Sequence, residues 1–227
     1  MILQTIDSGS QGNCHILTAD NGDIFIIELG VQEKLIKRAI DFRIGNVAAC
    51  FCSHVHSDHH KSVEKFKSMG IPVFEPYNSK WMKKEWEDFK CKAFPLVHDV
   101  PCYGLYLEHP EIGNLLYICD TAYCAYDFSA LKVRHLMIEA NYQTDMVDMD
   151  SPNFEHKIRH HQSIDTAESF IKHNNSPELR SVVLIHSNPT TIDETDAIRQ
   201  IKGIVDSDVE VAFAHAGLEM ELRKGVL

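Results

Sequence analysis

The stretch FCSHVHSDHHK at residues 51–61 places four histidines and an aspartate within seven positions, directly after an apolar run. Neutral imidazole is a common metal ligand, and an unpaired buried imidazole is costly, so this density predicts either solvent exposure or a bound cation. His54 and His56 alternate along a strand exit and should project to one side, while Asp58 and His59 begin the next helix. This spacing offers two imidazoles to one ion, and a carboxylate with an imidazole to a second.

Three further candidate ligands stand where apolar strands end. His98 ends KAFPLVH, Asp120 ends NLLYICD and His186 ends SVVLIH. Each of them taken alone could be an ordinary polar residue at a strand end. Because side chains at the ends of buried strands can converge, the three positions and the histidine cluster together predict a metal site.

The rest of the chain supplies the elements that must position these residues. MILQTID, CHILTA and DIFIIELG read as an antiparallel meander, followed by a helix at 31–44 and the strand VAACFCS. Later apolar runs predict strands at 71–75, 92–98, 102–109, 114–120, 135–141, 181–187, 208–216 and 218–222. Helical periodicity predicts helices at 59–70, 78–89, 163–174 and 191–205. Two halves of strands followed by helices predict an α/β sandwich of two sheets in one domain, 1–227.

Composition limits the partners. The 227-residue chain carries a net charge of −11, which argues against bulk electrostatic coating of duplex nucleic acid. Residues 61–92 nevertheless hold eight lysines against five acidic residues, either as solvated helix faces or as a nucleic-acid contact. Trp81 and Trp86 in this window could stack on bases or anchor a helix in the core.

The seven cysteines are odd in number and lie mostly in hydrophobic runs, which favours reduced, structural thiols. Cys50 and Cys52 would point the same way on a strand without a second pair to complete a zinc tetrahedron. The sequence shows neither a membrane-spanning apolar segment nor a basic leader, so we expect a cytoplasmic protein with no membrane partner.

The motif H-x-H-x-D-H, followed by histidine, aspartate and histidine at strand ends, resembles the metal signature of the metallo-β-lactamase superfamily. The turn SGSQGN resembles the SGSxGN signature of the YycJ-like branch of that superfamily. The resemblance implies an αββα four-layer sandwich and two divalent ions, with Zn²⁺ expected and Mn²⁺ or Fe also compatible with the ligand types. It also implies two ligand sets joined by a bridging carboxylate: His54, His56 and His98 for the first metal, Asp58, His59 and His186 for the second, and Asp120 between them.

Two residues depart from this pattern. Glu28 in IIELG stands where the superfamily usually has aspartate, so we expect it to perform the same structural task with a longer side chain. His60 has no place among the implied ligands and is expected to face solvent.

A second pair of motifs concerns proton transfer. Glu139 in IEAN and His161 in RHHQS resemble the glutamate and HST-type motifs of tRNase Z, and equally the ExN and HxS stretches of YycJ-like proteins. The resemblance implies that Glu139 orients His161 as general acid, while Asp58 helps to hold and activate the water. Alternatively, Glu139 is a strand-end charge and His161 a helix-start residue near a capping Ser163. RHHQS lacks the glycine that often precedes this histidine.

Three functions remain open. Two cations roughly 3.5–4 Å apart activate a water, and phosphodiester cleavage expels an alkoxide that a proton donor assists, which favours a phosphodiesterase or nuclease. Its substrate would be single-stranded or flexible nucleic acid, as in the exonuclease activity associated with the YycJ-like branch. The chain has neither a β-CASP insertion nor a long glycine-rich arm, so tRNA processing is disfavoured. A small-molecule hydrolase of a thioester, lactone or cyclic phosphodiester is the alternative, and a metal-stabilised binding module is the third.

Overall fold

The computed structural model describes residues 1–148, 150, 152 and 154–225. Two β-sheets face each other. The first sheet has the order β13-β1-β2-β3-β4-β5, antiparallel from β13 to β3 and parallel from β3 to β5. Its strands are β1 (Ile2–Asp7), β2 (Cys14–Thr18), β3 (Ile24–Ile27), β4 (Val47–Phe51), β5 (Val73–Phe74) and β13 (Glu219–Glu221). The predicted opening meander is confirmed.

The second sheet has the order β12-β11-β10-β9-β8-β7-β6, antiparallel from β6 to β9 and parallel from β9 to β12. Its strands are β6 (Lys83–Trp86), β7 (Phe89–Leu96), β8 (Cys102–His109), β9 (Gly113–Ile118), β10 (His135–Glu139), β11 (Ser181–Ile185) and β12 (Glu210–Phe213). The parallel strands of both sheets end at the edge where the candidate ligands follow.

Within the described residues, six α-helices flank the sheets: α1 (Glu33–Ala39), α2 (Ser57–His60), α3 (Val63–Ser68), α4 (Phe154–His160), α5 (Ile164–Asn174) and α6 (Glu194–Lys202). Strand alternation sorts the core into layers. In β3, Phe25 and Ile27 pack between the sheets, whereas Ile24 and Ile26 pack with residues of α1 and α3. On the outer side of the second sheet, buried residues of β10 and β11 pack with those of α5 and α6. The expected αββα sandwich is confirmed.

The predicted helix at 78–89 is wrong, because this segment forms β6 and the turn into β7. Met82 and Trp86 pack against the core between the sheets, while Lys83 and Glu85 are exposed, which is the period of a strand. Glu87 adopts a left-handed φ of 48° in the turn. Trp86 is therefore a core anchor, and its ring lies 6.0 Å from that of Phe74.

The predicted helix at 59–70 is two short helices, α2 and α3. The break occurs because the backbone N–H of Ser62 donates to Leu29 O and its hydroxyl to Val31 O, at 2.9 and 2.6 Å. The helix predicted at 31–44 ends at Ala39, since Asp41 and Phe42 are left-handed. Helix α4 was not predicted. In the part of the chain that the structure describes, no helix has both the length and the apolar character needed to cross a bilayer.

Candidate metal centre and proton-transfer pair

The seven predicted ligand residues converge at the edge where the strands end. Four of their side chains form one group, in which one ligating atom from each lies within 4.8 Å of the others: His54, His56, His98 and Asp120. His54 Nε2 lies 3.3 Å from Asp120 Oδ2, and His98 Nε2 lies 3.3 Å from His56 Nδ1. Residues after β4, β7 and β9 thus reach one point.

A second group lies on the other side of Asp120. His59, His186 and Asp120 bring ligating atoms within the same 4.8 Å, together with the thiol of Cys119. His59 Nε2 lies 3.1 Å from Asp120 Oδ2, and His186 Nε2 lies 3.3 Å from Oδ1. Asp58 Oδ2 lies 3.5 Å from the Nε2 atoms of both histidines. Asp120 therefore sits between two sets of nitrogen atoms and offers an oxygen to each.

Three residues of this region adopt left-handed backbone conformations that are uncommon outside glycine. The φ angles are 66° at Glu28, 54° at Asp120 and 53° at His186, each just after its strand. Such residues cost free energy and persist only where surrounding contacts fix them. The sharp turn at each strand end directs the three side chains into the same region.

Three of the ligand histidines present Nε2 to the cluster and have Nδ1 close to a side chain outside it. Nδ1 of His54 lies 2.9 Å from Ser53 Oγ, Nδ1 of His59 lies 3.4 Å from Glu28 Oε1, and Nδ1 of His186 lies 3.2 Å from Glu139 Oε1. Metal-ligating histidines typically have such an outer partner, which fixes the ring and its tautomer. Glu28 is fully buried and also accepts from Ser53 N at 3.2 Å, a structural role like the one expected for it.

The loop SGSQGN contributes a residue that the sequence analysis missed. Asn13 Nδ2 lies 3.0 Å from His59 Nε2 and donates to Asp58 O at 3.2 Å, while Asn13 N donates to the same carbonyl at 2.7 Å. The loop after β3 also packs closely against this carbonyl, because a Cβ on Gly30 would lie 1.6 Å from Asp58 O. The asparagine of this motif thus contacts both the ring of His59 and the backbone of Asp58.

Two further residues were also missed. Asp99 Oδ1 lies 3.2 Å from His98 Nε2 and 3.4 Å from His56 Nε2. Asn141 Nδ2 donates to His186 O at 2.8 Å. The signal for Asn141 was present as the last residue of the ExN stretch, whereas Asp99 has no signal beyond its position after His98.

The electrostatics of the region test whether a cation fits. Glu28, Asp120 and Glu139 are buried carboxylates. Burial and the neighbouring His59 lower the pKa of His54 to about 2, which keeps this imidazole neutral and able to ligate. Burial disfavours a charged His186, but the facing carboxylates outweigh it and raise the pKa of His186 to about 10.

The buried carboxylates therefore require nearby positive charge, which protons supply here and a divalent cation would supply with better ligand geometry. Nε2 of His54 and of His186 are buried and have no hydrogen-bond partner among the described residues, although each lies near an Asp120 oxygen. Imidazole and carboxylate donors in this arrangement fit divalent metal ions. These residues fit the implied group.

Glu139 and His161 also meet. Nδ1 of His161 lies 2.8 Å from Glu139 Oε1, and Glu139 Oε2 accepts from Thr121 N at 3.1 Å. Burial opposes a charged His161, but Glu139 and Asp120 outweigh it and raise the pKa of His161. The ring of His161 stacks on that of His186 with centroids 5.2 Å apart. Ser163 caps α5 by accepting from Thr166 N, so the predicted cap is confirmed.

Two other histidines of the motifs are not among the predicted ligands, although His160 lies close to His98 and Asp99. The ring of His160 lies 5.5 Å from that of His98. His60 was expected to face solvent, but it is half-buried, with Nε2 3.3 Å from the buried carboxylate of Glu75. This contact forms because the short α2 turns His60 toward the end of β5.

Neither a protein-family model nor a curated protein matches the chain. Solved structures do. The metallo-β-lactamase fold protein YhfI from Bacillus subtilis matches with a TM-score of 0.70 at 13% identity, over 96% of this chain and 98% of that one. The short form of human tRNase Z matches with 0.65 at 14% identity, over 98% and 99%. A diphosphatase from the PhnP family matches with 0.61 at 14% identity, over 99% of both chains.

These similarities define the fold of the chain. The chain has the metallo-β-lactamase fold, and it carries a histidine and aspartate cluster able to hold divalent metal at the edge where the strands end.

Proposed function

We propose that this protein is a two-metal phosphodiesterase, most specifically a nuclease acting on single-stranded or flexible nucleic acid. His54, His56 and His98 would hold one divalent ion and Asp58, His59 and His186 the other, with Asp120 between them. Zn²⁺ is the metal we propose, with Mn²⁺ or Fe as alternatives. Bound ions would supply a water of lowered pKa and neutralise charge on the phosphoryl oxygens.

The observation that carries this proposal is the contact between Glu139 and His161. Nδ1 of His161 donates to Glu139 Oε1 at 2.8 Å, so the acidic proton available for transfer is the one on Nε2. The buried carboxylate favours the protonated ring. Because a phosphodiester expels a poor alkoxide leaving group, a histidine held in its charged form beside the cluster is suited to protonate that oxygen.

Asp58 has a different part in the proposal. Burial would raise the pKa of Asp58, but the hydrogen bonds of His186 and His59 outweigh it and hold the pKa well below its usual range. Asp58 therefore remains a carboxylate at neutral pH. Its oxygen faces the second group of nitrogens, where it would orient the attacking water and accept a hydrogen bond from it.

The comparisons support this reaction class without deciding the substrate. Two proteins of similar fold are described as a tRNase Z and a diphosphatase. The YycJ-like assignment rests on the SGSQGN, ExN and HxS motifs. A cytoplasmic location belongs to the same proposal and is supported by seven free cysteines, six of them buried.

The test separates proton donation from metal binding. His161→Ala should retain the metal content of the wild type, measured by elemental analysis, and lose about 10²- to 10⁴-fold in kcat on an oligonucleotide. Its loss on bis(p-nitrophenyl) phosphate should be much smaller, because p-nitrophenolate leaves without protonation. His173→Ala, which removes an exposed histidine of α5, is the matched control and should retain wild-type turnover.

If His161→Ala lowers kcat equally on both substrates and the metal is retained, the role of His161 as general acid is refuted. Absence of turnover of any phosphodiester by the metal-loaded wild type would refute the proposed function itself.

The net charge of −11 favours the second candidate, a small-molecule hydrolase, because it disfavours polyanion binding overall. Turnover of thioester or lactone substrates in place of phosphodiesters would identify that alternative.

A further inference from the structure

The β6–β7 hairpin carries a basic surface that the proposed site does not use. Lys83 on β6 and Lys90 and Lys92 on β7 are exposed, and the exposed Lys80 precedes them. Among the described residues, no carboxylate lies within 4.0 Å of these four amino groups. Lysines of α1 and α3, in contrast, form ion pairs with neighbouring glutamates. Lys90 faces Glu85 on β6 and Glu108 on β8, so the uncompensated charge of the hairpin is that of Lys80, Lys83 and Lys92.

The strand register makes this charge costly. Lys83 lies directly opposite Lys92 in the β6–β7 ladder, and like charges facing each other across strands destabilise the sheet. Lysines on an edge strand can prevent unwanted strand pairing, which would account for Lys83 on β6. Lys90 has opposite charges across both neighbouring strands, whereas Lys92 faces Lys83 on one side and Tyr106 on the other. Because β7 is paired on both sides, protection of an edge does not explain Lys92. A bound polyanion would relieve the repulsion.

Trp81 lies beside these lysines and is 70% exposed. Its backbone is fixed, because Ser79 Oγ donates to Trp81 O at 2.9 Å and accepts from Trp81 N at 3.1 Å. Trp86, in contrast, packs on the core. An exposed indole next to cationic side chains is the combination on which single-stranded bases stack while their phosphates are neutralised.

The position of this surface relative to the site follows from β7. Lys92 precedes His98 by six residues along a chain that is extended to Leu96, which gives at most about 20 Å between them. Ala93 N donates to Met82 O, so Trp81 lies alongside the part of β7 that leads toward His98. Along β7 from the hairpin turn toward its end, the lysines come first, the indole of Trp81 next and the candidate metal centre last.

We propose that Lys83, Lys92 and Trp81, here named the hairpin surface, bind the part of a single-stranded nucleic acid that lies outside the metal centre. The phosphates would contact the lysines, and a base would stack on Trp81. This inference rests on the proposed function, since it names how a polynucleotide substrate would be held.

The test measures binding by fluorescence anisotropy of a labelled oligothymidylate of about 20 nucleotides. All proteins carry His161→Ala so that the strand is not consumed. Lys83→Gln/Lys92→Gln should weaken binding at least tenfold at low salt and reduce the slope of log K against log salt by about 1.4. Lys34→Gln/Lys202→Gln removes the same charge from exposed positions on α1 and α6 and should change binding less than twofold.

Trp81→Phe should abolish the quenching of tryptophan fluorescence on binding, and Trp81→Ala should weaken binding about fivefold or more. The thermal midpoint of Lys83→Gln/Lys92→Gln should not fall, because the change removes a like-charge pair; this excludes misfolding as the cause. If Lys83→Gln/Lys92→Gln and Lys34→Gln/Lys202→Gln bind the strand with equal affinity and equal salt slopes, the proposed role of the hairpin surface is refuted.

Turnover of bis(p-nitrophenyl) phosphate by the wild type tests the chemistry separately. Turnover without hairpin-dependent binding would retain the phosphodiesterase and refute the hairpin surface. Hairpin-dependent binding without turnover of any phosphodiester would support the hairpin surface and refute the proposed function.

Discussion

Substitution of Gly30 by alanine should disrupt the candidate metal centre, although it replaces none of the candidate ligand residues. The added Cβ would lie 1.6 Å from Asp58 O and 2.8 Å from Asn13 N. Because ordinary contact begins near 3.4 Å, the Asp58 carbonyl would have to withdraw by about 1.8 Å. That movement would break the 2.7 Å bond from Asn13 N to Asp58 O and displace the helix that carries His59.

Overpacking of this kind costs about 1–3 kcal/mol, and a buried backbone group left without a partner costs about 1–3 kcal/mol more. We therefore expect Gly30→Ala to lower the free energy of unfolding by about 3 kcal/mol or more. For a chain of this length, that corresponds to a thermal midpoint about 6–12 °C lower. Metal content after dialysis should fall as well, since the ligands after β4 would be displaced.

Gly45→Ala is the matched control, because a Cβ at Gly45 would have no neighbour within 4 Å. Its thermal midpoint should stay within about 2 °C of the wild type, as for an ordinary surface substitution. Differential scanning calorimetry and elemental analysis of the three proteins provide the comparison. A Gly30→Ala protein with wild-type stability and metal content would refute the inferred close contact between the loop after β3 and Asp58.

Two further predictions concern stability. Burial lowers the pKa of His135 to about 4, so the unfolded chain takes up a proton below pH 6.5 that the folded chain does not. Stability should therefore fall by up to about 3 kcal/mol from pH 6.5 toward pH 4, and His135→Gln should flatten this dependence in urea titrations; an unchanged pH profile would contradict the assignment. Removal of divalent ions with a chelator should lower the thermal midpoint by about 10 °C, reversibly on adding Zn²⁺, because ions bound at 100–1,000 times Kd stabilise by about 3–4 kcal/mol. An unchanged midpoint would show that no tightly bound ion is present.

The positions of the candidate ligands could be predicted because each follows a strand whose apolar run is unmistakable. VAACFCS, NLLYICD and SVVLIH are buried strands in the structure, and parallel strands that end at one edge bring their next residues together. The sandwich of two sheets followed from the same runs, whereas the four-layer αββα order was implied by the family resemblance. What could be predicted was therefore the part of the site that depends on strand ends.

The hairpin was mispredicted because 78–89 is short and rich in charge. Trp81, Met82, Trp86 and Phe89 can be placed on one side of a helix as readily as two of them can alternate in a strand. Pairing of β6 with β7 decides the outcome, and that pairing is a tertiary contact. The contacts of Asn13 with His59 and of Asp99 with His56 were missed for the same reason, since they join residues more than 40 positions apart.

The left-handed conformations at Glu28, Asp120 and His186 bear on how the site is assembled. Each costs free energy that contacts within the chain must offset. Two of the three make such contacts with protein atoms: the carboxylate of Glu28 accepts from Ser53 N, and His186 N donates to Ser8 Oγ at 2.9 Å. We therefore expect these parts of the site to be arranged before a cation binds. Chelation should therefore lower the thermal midpoint while leaving the folded state, monitored by near-ultraviolet circular dichroism, intact at 25 °C. Loss of the near-ultraviolet signal at that temperature would show instead that cation binding drives the folding of the site.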